Sequence, residues 1–275
     1  MTQVDFVFDN VPQTTLFGNI NDCYITIGSQ PVLSQFAVIL AAAGQSSRYK
    51  DKNYKKPFAP LDGKAVWLHS AERFTARDDV KQVIVVISAD DEEFFQSKYG
   101  ANLIFMGIEP VVGGSTRAES VKRGLAKVSD DVDFVAVHDA ARPVFANEWI
   151  DGLFAAAESD GAAILASPVT STIKRVADKK IIETVDRQNL WQAQTPQVFR
   201  RDLLAKAHQQ ADAESATDDA ELVQRLGHEV TIVPCSALNL KITTREDMKM
   251  AAMALKALPK PKLEKPGNPL DDMWR

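Results

Sequence analysis

The chain is short of cysteine: Cys23 and Cys235 are its only two, and neither sits in a CxxC or Cys/His spacing that could hold a metal. A disulfide framework is thereby excluded, and two reduced thiols in a cytoplasmic protein are expected. No apolar run approaches the roughly 20 residues that span a bilayer, so no membrane partner is expected. The start, Met1-Thr2-Gln3-Val4-Asp5-Phe6, has neither the positive charge nor the small-residue cleavage site of a signal peptide. Positive charge is in deficit, with 32 Lys and Arg against 37 Asp and Glu and a formal net charge of -5. That balance argues against nucleic acid as a partner, yet leaves room for a local basic pocket that takes phosphates. The Walker spacing GxxxxGK[ST] and the Rossmann GxGxxG are both missing at the first strand's end, and no Ser/His/Asp or paired-carboxylate constellation stands out.

What the chain does have is a series of buried-strand signals. Residues 1–35 keep no sustained period, are broken by Pro12, Gly18, Gly28 and Pro31, and read as an N-terminal extension with one short strand at Cys23–Ile27. At Phe36 the character changes: Phe36-Ala37-Val38-Ile39-Leu40-Ala41-Ala42-Ala43 is apolar up to Gly44, the pattern of a strand buried on both faces. Similar runs follow at 82–88, 103–105, 134–137, 162–166 and 230–233. Helices are predicted over 64–76 and 115–128. In the second, Thr116 and Glu119 make a capping-box pattern, and Ala118, Val121, Leu125 and Val128 share one face. Strands alternating with helices predict right-handed βαβ units, hence an α/β, doubly wound, mostly parallel sheet covered on both faces. Residues 168–190 mix polar and β-branched residues without a core-like run and read as an arm leaving a domain over 36–257. The segment 258–275, rich in Pro and Lys, reads as a disordered tail.

Ligands bind at the carboxyl ends of parallel strands, so those ends carry the functional reading. The first strand runs into Ala42-Ala43-Gly44-Gln45-Ser46-Ser47-Arg48, followed by Lys50, Lys52, Lys55 and Lys56. Small residues let backbone N–H groups approach a phosphate, and the cations add charge; the same residues also suit a tight turn before a solvated basic loop. A later strand ends in His138-Asp139-Ala140-Ala141-Arg142-Pro143. Asp139 is placed either to hold Mg²⁺, which takes one or two carboxylates plus phosphate oxygens and water, or to end the strand as an ion pair with Arg142. His138 fits a core residue and a support for Asp139 equally. Gly113-Gly114-Ser115 leads into the capped helix, where paired glycines admit a planar base and the helix N-terminus offers free N–H groups. Asp186-Arg187, Thr195-Pro196-Gln197, Thr217-Asp218 and Asn239-Leu240-Lys241 read singly as loop or cap chemistry, with Thr217 as an N-cap.

In order, these segments resemble the 2-C-methyl-D-erythritol 4-phosphate cytidylyltransferase family over about residues 36–257. The likeness rests on Leu40–Gly44 through Arg48 and Lys56, on Gly113-Gly114-Ser115-Thr116-Arg117-Ala118-Glu119-Ser120-Val121, and on HDAARP at 138–143. It continues through Pro168-Val169, Thr172-Ile173-Lys174, Thr184-Val185-Asp186-Arg187, Leu190-Trp191, Gln194-Thr195-Pro196-Gln197, Thr217-Asp218 and Leu240-Lys241-Ile242-Thr243. The resemblance implies a nucleotidyltransferase-type sheet with a protruding arm that builds a homodimer. It also implies an enzyme that moves CMP from CTP to methylerythritol phosphate with Mg²⁺ or another divalent cation. By position, Arg48, Lys56, Arg187 and Lys241 would be the catalytic set, the first two and Lys241 on the CTP phosphates. Ala42, Ala43, Gly44, Gly113, Gly114, Ser120, Asp139 and Ala140 would form the nucleotide pocket, with Asp139 also serving the metal. Thr172 and Arg187 would grip the acceptor in the neighbouring subunit's site, and Thr217 would join the acceptor side. Where the family has Pro-Lys-Gln before an aromatic, this chain has Lys55-Lys56-Pro57-Phe58, which keeps Lys55 as an alternative to Lys56. A ribitol 5-phosphate or other pentitol-phosphate cytidylyltransferase shares these motifs. A non-catalytic nucleotide-binding scaffold would not need Arg48, Lys56, Asp139 and Lys241 together.

Overall fold

The structure is a computed structural model that describes residues 34–44, 49, 54–210 and 212–258. The strand expected at 23–27, the loop residue Arg48 and the tail beyond Leu258 lie outside the described residues. In chain order the strands are β1 (Phe36–Ala41), β2 (Pro60–Leu61), β3 (Lys64–Ala65), β4 (Val80–Ile87), β5 (Ile108–Val112), β6 (Phe134–Asp139), β7 (Ala162–Pro168), β8 (Ile173–Ala177), β9 (Lys180–Val185), β10 (Trp191–Arg200) and β11 (Thr231–Pro234). The helices are α1 (Val66–Thr75), α2 (Glu92–Met106), α3 (Arg117–Leu125), α4 (Asn147–Asp160), α5 (Arg201–Ala207), α6 (Asp219–Arg225) and α7 (Arg245–Ala257).

Seven strands form the central sheet in the order β11-β7-β10-β6-β1-β4-β5. In the described sheet β10 runs antiparallel to both neighbours, and every other pairing is parallel. Alternation along β1 sets the two layers. Phe36, Val38 and Leu40 face a core built with α1, α2 and α4, through Trp67, Phe74, Phe95, Tyr99 and Leu153. Ala37 and Ile39 face the opposite core with α3, α5 and α6, through Val121, Leu204 and Val223. Burial on both sides explains why β1 is a continuous apolar run.

Several expectations need correction. The run at 103–105 is the last turn of α2: Phe95, Tyr99 and Leu103 repeat every four residues and are buried, while Ile104 and Phe105 are 84% and 93% exposed. Gly107, at φ 63°, then ends the helix in the left-handed conformation, and the strand comes after it as β5. The predicted 64–76 helix begins only at Val66, because Lys64 and Ala65 close a small hairpin with Pro60 and Leu61. Thr195-Pro196-Gln197 is not loop but the middle of β10, where the register jumps between Ala193 and Gln197 and the proline need not donate to a ladder. The N-cap of α6 is Asp218, whose carboxylate accepts the Glu221 N–H, rather than Thr217.

Within the predicted arm at 168–190, Pro168 still pairs with Trp191 in the central sheet, while residues 173–185 form the separate hairpin β8–β9, outside the hydrogen-bond ladder of that sheet. Its turn places Asp178 and Lys179 at φ 49° and 65°, as a two-residue hairpin turn of primed type requires. Val176, Ile181 and Ile182 are each more than half exposed on it.

The last helix is tied to the site by its cap. Asp247 accepts the backbone N–H groups of Thr243 and Thr244, both at 2.8 Å, while Thr244 accepts the Asp247 N–H at 3.2 Å. This box fixes the chain just after Lys241, and Ala251 and Ala254 of α7 bury against Leu61, Val144 and Ile242. Asp247→Ala should therefore lower the unfolding free energy by about 1–2 kcal/mol, the range for losing an N-terminal cap. Urea unfolding measures it, and an unchanged midpoint would show that the box does not hold the helix.

Candidate active site

The carboxyl ends of β1 and β6 open into one cleft. Ala41 pairs with Asp139 across these strands, so the small-residue turn after β1 stands beside the Asp139 carboxylate. Here the chain order reverses across the sheet, the point where such sheets take ligands. The cleft is lined by Ala41–Gly44, by Lys56 and Pro57, by Gly114–Arg117 and Ser120, by Asp139 and Ala141, and by Lys241.

Local chemistry puts each segment there. Position 113 has no room for a side chain: a Cβ would lie 2.7 Å from Ser120 Oγ, 2.9 Å from Val86 and 3.0 Å from Ala43. With only hydrogen there, α3 closes onto β1 and β4. Ser120 then accepts the Gly114 N–H at 3.1 Å and donates to the Thr116 carbonyl at 2.8 Å. Thr116 caps α3 by accepting the Glu119 N–H, and the Glu119 carboxylate reaches back to the Ser115 N–H at 2.7 Å. Lys56 opens a short 3₁₀ turn whose Phe58 packs against Phe95 and Tyr99. Its neighbour Lys55 turns away to Asp91, 2.8 Å distant, and to Ser88. Of the two lysines, Lys56 lines the cleft.

Three cations converge on Asp139. Lys241 Nζ is 2.6 Å from Oδ2, Arg117 Nε 3.6 Å from Oδ1 and Arg142 Nε 3.7 Å from Oδ2. Burial alone would raise the Asp139 carboxyl, but the Lys241 ammonium and then the Arg117 guanidinium outweigh it and hold the group well below the usual carboxylate range. Asp139 is ionised throughout the working pH range. Arg142 donates to the Asn239 carbonyl at 2.6 Å, and the Ile242 N–H bonds the Ala141 carbonyl, so the Lys241 segment is laced to the turn after β6.

Behind Asp139 the polar contacts form a directed chain. His138 Nε2 donates to the Arg142 carbonyl at 3.0 Å, which leaves Nδ1 as acceptor for the Thr195 hydroxyl at 3.2 Å. The Thr195 oxygen in turn accepts the Asp139 N–H at 3.0 Å. Burial pushes His138 down to about 4, so the imidazole is neutral near neutral pH. The buried histidine is thus a support of the Asp139 backbone.

Of the residues singled out in the sequence, Ala42, Ala43, Gly44, Lys56, Gly114, Ser120, Asp139 and Lys241 line the cleft. Gly113 lies packed beneath it, and Ala140 is buried with its N–H on the Ala41 carbonyl, leaving Ala141 to face the opening. Thr172, Arg187 and Thr217 are not among the lining residues. Thr172 is exposed beside the hairpin, Arg187 donates to the Thr170 carbonyl, and Thr217 donates to Glu221. Arg117 lines the cleft although sequence reasoning gave it no role. The available signal was a cation in the first turn of a helix, where the dipole disfavours positive charge unless an anion waits nearby.

With cations gathered at the switch point of a doubly wound sheet and a single ionised carboxylate among them, the architecture is that of a nucleotidyltransferase. Solved structures agree. A Francisella tularensis 2-C-methyl-D-erythritol 4-phosphate cytidylyltransferase matches with a TM-score of 0.67 at 29% identity, covering 81% of this chain and 100% of that one. The Thermus thermophilus protein of that name matches at 0.65 and 30% identity, covering 79% and 98%. The chain belongs to the 2-C-methyl-D-erythritol 4-phosphate cytidylyltransferase family, whose model matches residues 36–257. A relative of that description from Rhodopirellula baltica is 41% identical over 230 residues, spanning 80% of this chain and 94% of its own. One from Bacillus velezensis is 42% identical over 227 residues, spanning 81% and 97%.

The His138 chain has a pH signature. Its folded value, about 4, lies below the ordinary 6.5, so between these values the unfolded chain binds a proton that the native state refuses. Stability is therefore lost as pH falls from about 6.5 to about 4, by at most about 1.4 kcal/mol per pH unit. His138→Gln should remove that component, so chemical denaturation at stepped pH should give a shallower acid slope for the variant. Equal slopes would show that His138 titrates alike in both states.

Proposed function

We propose that the chain transfers CMP from CTP to 2-C-methyl-D-erythritol 4-phosphate and releases pyrophosphate. The observation that carries this reading is the convergence of Lys56, Arg117 and Lys241 on one cleft around Asp139. An acceptor phosphate oxygen attacks the α-phosphorus of CTP, and the bond from that phosphorus to the bridging oxygen breaks in line. The second pKa of a phosphate monoester is near 6, so the nucleophile is already largely dianionic and no base has to take a proton. Catalysis then consists of placing two polyanions and neutralising charge as it builds on the transferring phosphoryl group. Lys56, Arg48 and Lys241 supply that charge. The backbone around Gly114 and Ser115, pinned by Ser120, takes the base, with the β1 turn and Ala140 completing the nucleotide side.

Asp139 is the carboxylate that would hold a divalent cation. Among the described residues no cluster of three His, Cys, Asp or Glu could bind one alone. A lone ionised carboxylate suits Mg²⁺, whose other positions are commonly filled by substrate phosphates and water. When bound, the cation would supply further positive charge to the triphosphate and to the departing pyrophosphate. No helix among the described residues is long and apolar enough to cross a membrane, and the reading places the enzyme in the cytoplasm.

Thr172, Arg187 and Thr217 belong to the acceptor side. The hairpin exposes Val176, Ile181 and Ile182, an apolar face that a second copy would cover across a two-fold axis. We infer a homodimer in which Arg187 of one chain completes the partner's cleft.

Two measurements test these readings. Pyrophosphate release should be rapid with CTP and methylerythritol phosphate. Replacing the acceptor by ribitol 5-phosphate, or CTP by UTP, should lower kcat/KM by roughly tenfold or more. Equal use of both acceptors would overturn the substrate assignment, and CTP binding without pyrophosphate release would leave a scaffold. For the shared site, Lys56→Ala and Arg187→Ala should each be nearly inactive. Mixed one to one and refolded together, they should regain about a quarter of wild-type activity, because half the dimers are mixed and each has one intact site. No recovery in subunits shown to exchange would mean that Arg187 serves its own chain.

A further inference from the structure

Arg117 joins two buried carboxylates carried by different elements. Its Nε lies 3.6 Å from Asp139 on β6, and its terminal nitrogen 2.8 Å from Asp219 Oδ2 at the start of α6. Asp219 is fully buried, and its other oxygen accepts from His208 Nε2 at 2.9 Å, itself buried just past the end of α5. Gln197 of β10 braces the array: its side-chain oxygen accepts the N–H groups of Asp219 and Ala220, and its amide donates to Asp218. A continuous line of polar contacts thus runs from the cleft into the layer formed by α3, α5 and α6.

Nothing local favours an arginine here. A cation in the first turn of a helix opposes the dipole, and the desolvation of a buried charge costs several kcal/mol unless it is paired. Burial works against the Arg117 charge, yet Asp219 and Asp139 bind its proton more firmly than in water. The three cations around Asp139 are also unequal. Arg117 is pinned by Asp219 and Arg142 by the Asn239 carbonyl, whereas the Lys241 side chain is 38% exposed, against 30% and 13% for the two arginines. An anion entering the cleft can draw Lys241 away while the two guanidinium groups stay in place.

We propose that Arg117 is a positioning residue, anchored from behind by Asp219 and His208, that holds the Asp139 carboxylate fixed so that Lys241 alone passes from Asp139 to the incoming phosphates. The proposal rests on the nucleotidyl-transfer reading above. It assigns Asp219, which is absent from the lining of the cleft, an effect on turnover that acts only through Arg117 and Asp139.

The test is a mutant cycle with calorimetry. Asp219→Asn keeps the size of the side chain and removes its charge. It should lower kcat about tenfold or more while the dissociation constant for CTP changes less than about threefold, the split expected of a group that acts on the reaction and not on ground-state binding. In an Asp139→Asn background the same substitution should cause no further loss, because residues acting as a unit are non-additive. Arg117→Lys, which keeps the charge but not the fork that reaches both carboxylates, should behave likewise in both backgrounds, and it carries the test if circular dichroism shows Asp219→Asn unfolded. Wild-type turnover in Asp219→Asn overturns the proposal. So does an equal fractional loss with and without the Asp139 carboxylate, which is the mark of a purely structural role. Failure of the wild-type chain to release pyrophosphate from CTP is a separate result that removes the functional reading itself.

Discussion

The placing of one carboxylate among three cations governs this protein. Asp139 is buried at the end of a central strand, where an unpaired charge would be costly, and Lys241, Arg117 and Arg142 offset that cost. Each cation comes from a different part of the chain, so the ion cluster ties the turn after β6 to α3 and to the segment leading into α7. The sheet supplies the common platform. Parallel register puts Ala41 beside Asp139, and the Thr195 hydroxyl from the antiparallel strand holds the Asp139 N–H. Held on three separate elements, the cations are fixed by the fold itself, and fixed charges aimed at a polyanion cost little reorganisation.

Much of this was legible because the signals were local. A strand buried on both faces must be apolar throughout, and the run from Phe36 shows it. The Thr116–Glu119 spacing announces a helix start, and the small residues at 42–44 and 113–114 announce close backbone approach. The failures share one cause, which is that tertiary context overrode local pattern. Leu103-Ile104-Phe105 looked like a strand because three apolar residues stand together, although only Leu103 is buried. Thr195-Pro196-Gln197 looked like a loop because proline rarely enters a central strand, and a register shift accommodates it here. Arg117 went unassigned because its partners, Asp139 and Asp219, lie 22 and 102 residues further along the chain, and no period connects them.

The structure also separates the two lysines that sequence spacing leaves equivalent. Lys55 and Lys56 are adjacent, and a one-residue slip would exchange them. The Asp91 carboxylate settles their directions by pairing with Lys55, and the packing of Phe58 against Phe95 and Tyr99 fixes the turn that follows. An acidic residue outside the cleft thereby determines which ammonium group faces into it.

The hairpin β8–β9 has its own ladder and shares no backbone hydrogen bonds with the central sheet in the described residues. Its side chains contribute almost nothing to either core, so exchanging them costs little folding free energy, and its length can change without shifting the register of a central strand. Folding therefore constrains residues 36–41 heavily and residues 173–185 lightly. What the hairpin must keep is set by what it touches, whereas what the β1–β6 edge must keep is set by the core beneath it, through Gly113 and Asp139. The two parts of the molecule thus answer to different demands, one to a surface it meets and the other to its own interior.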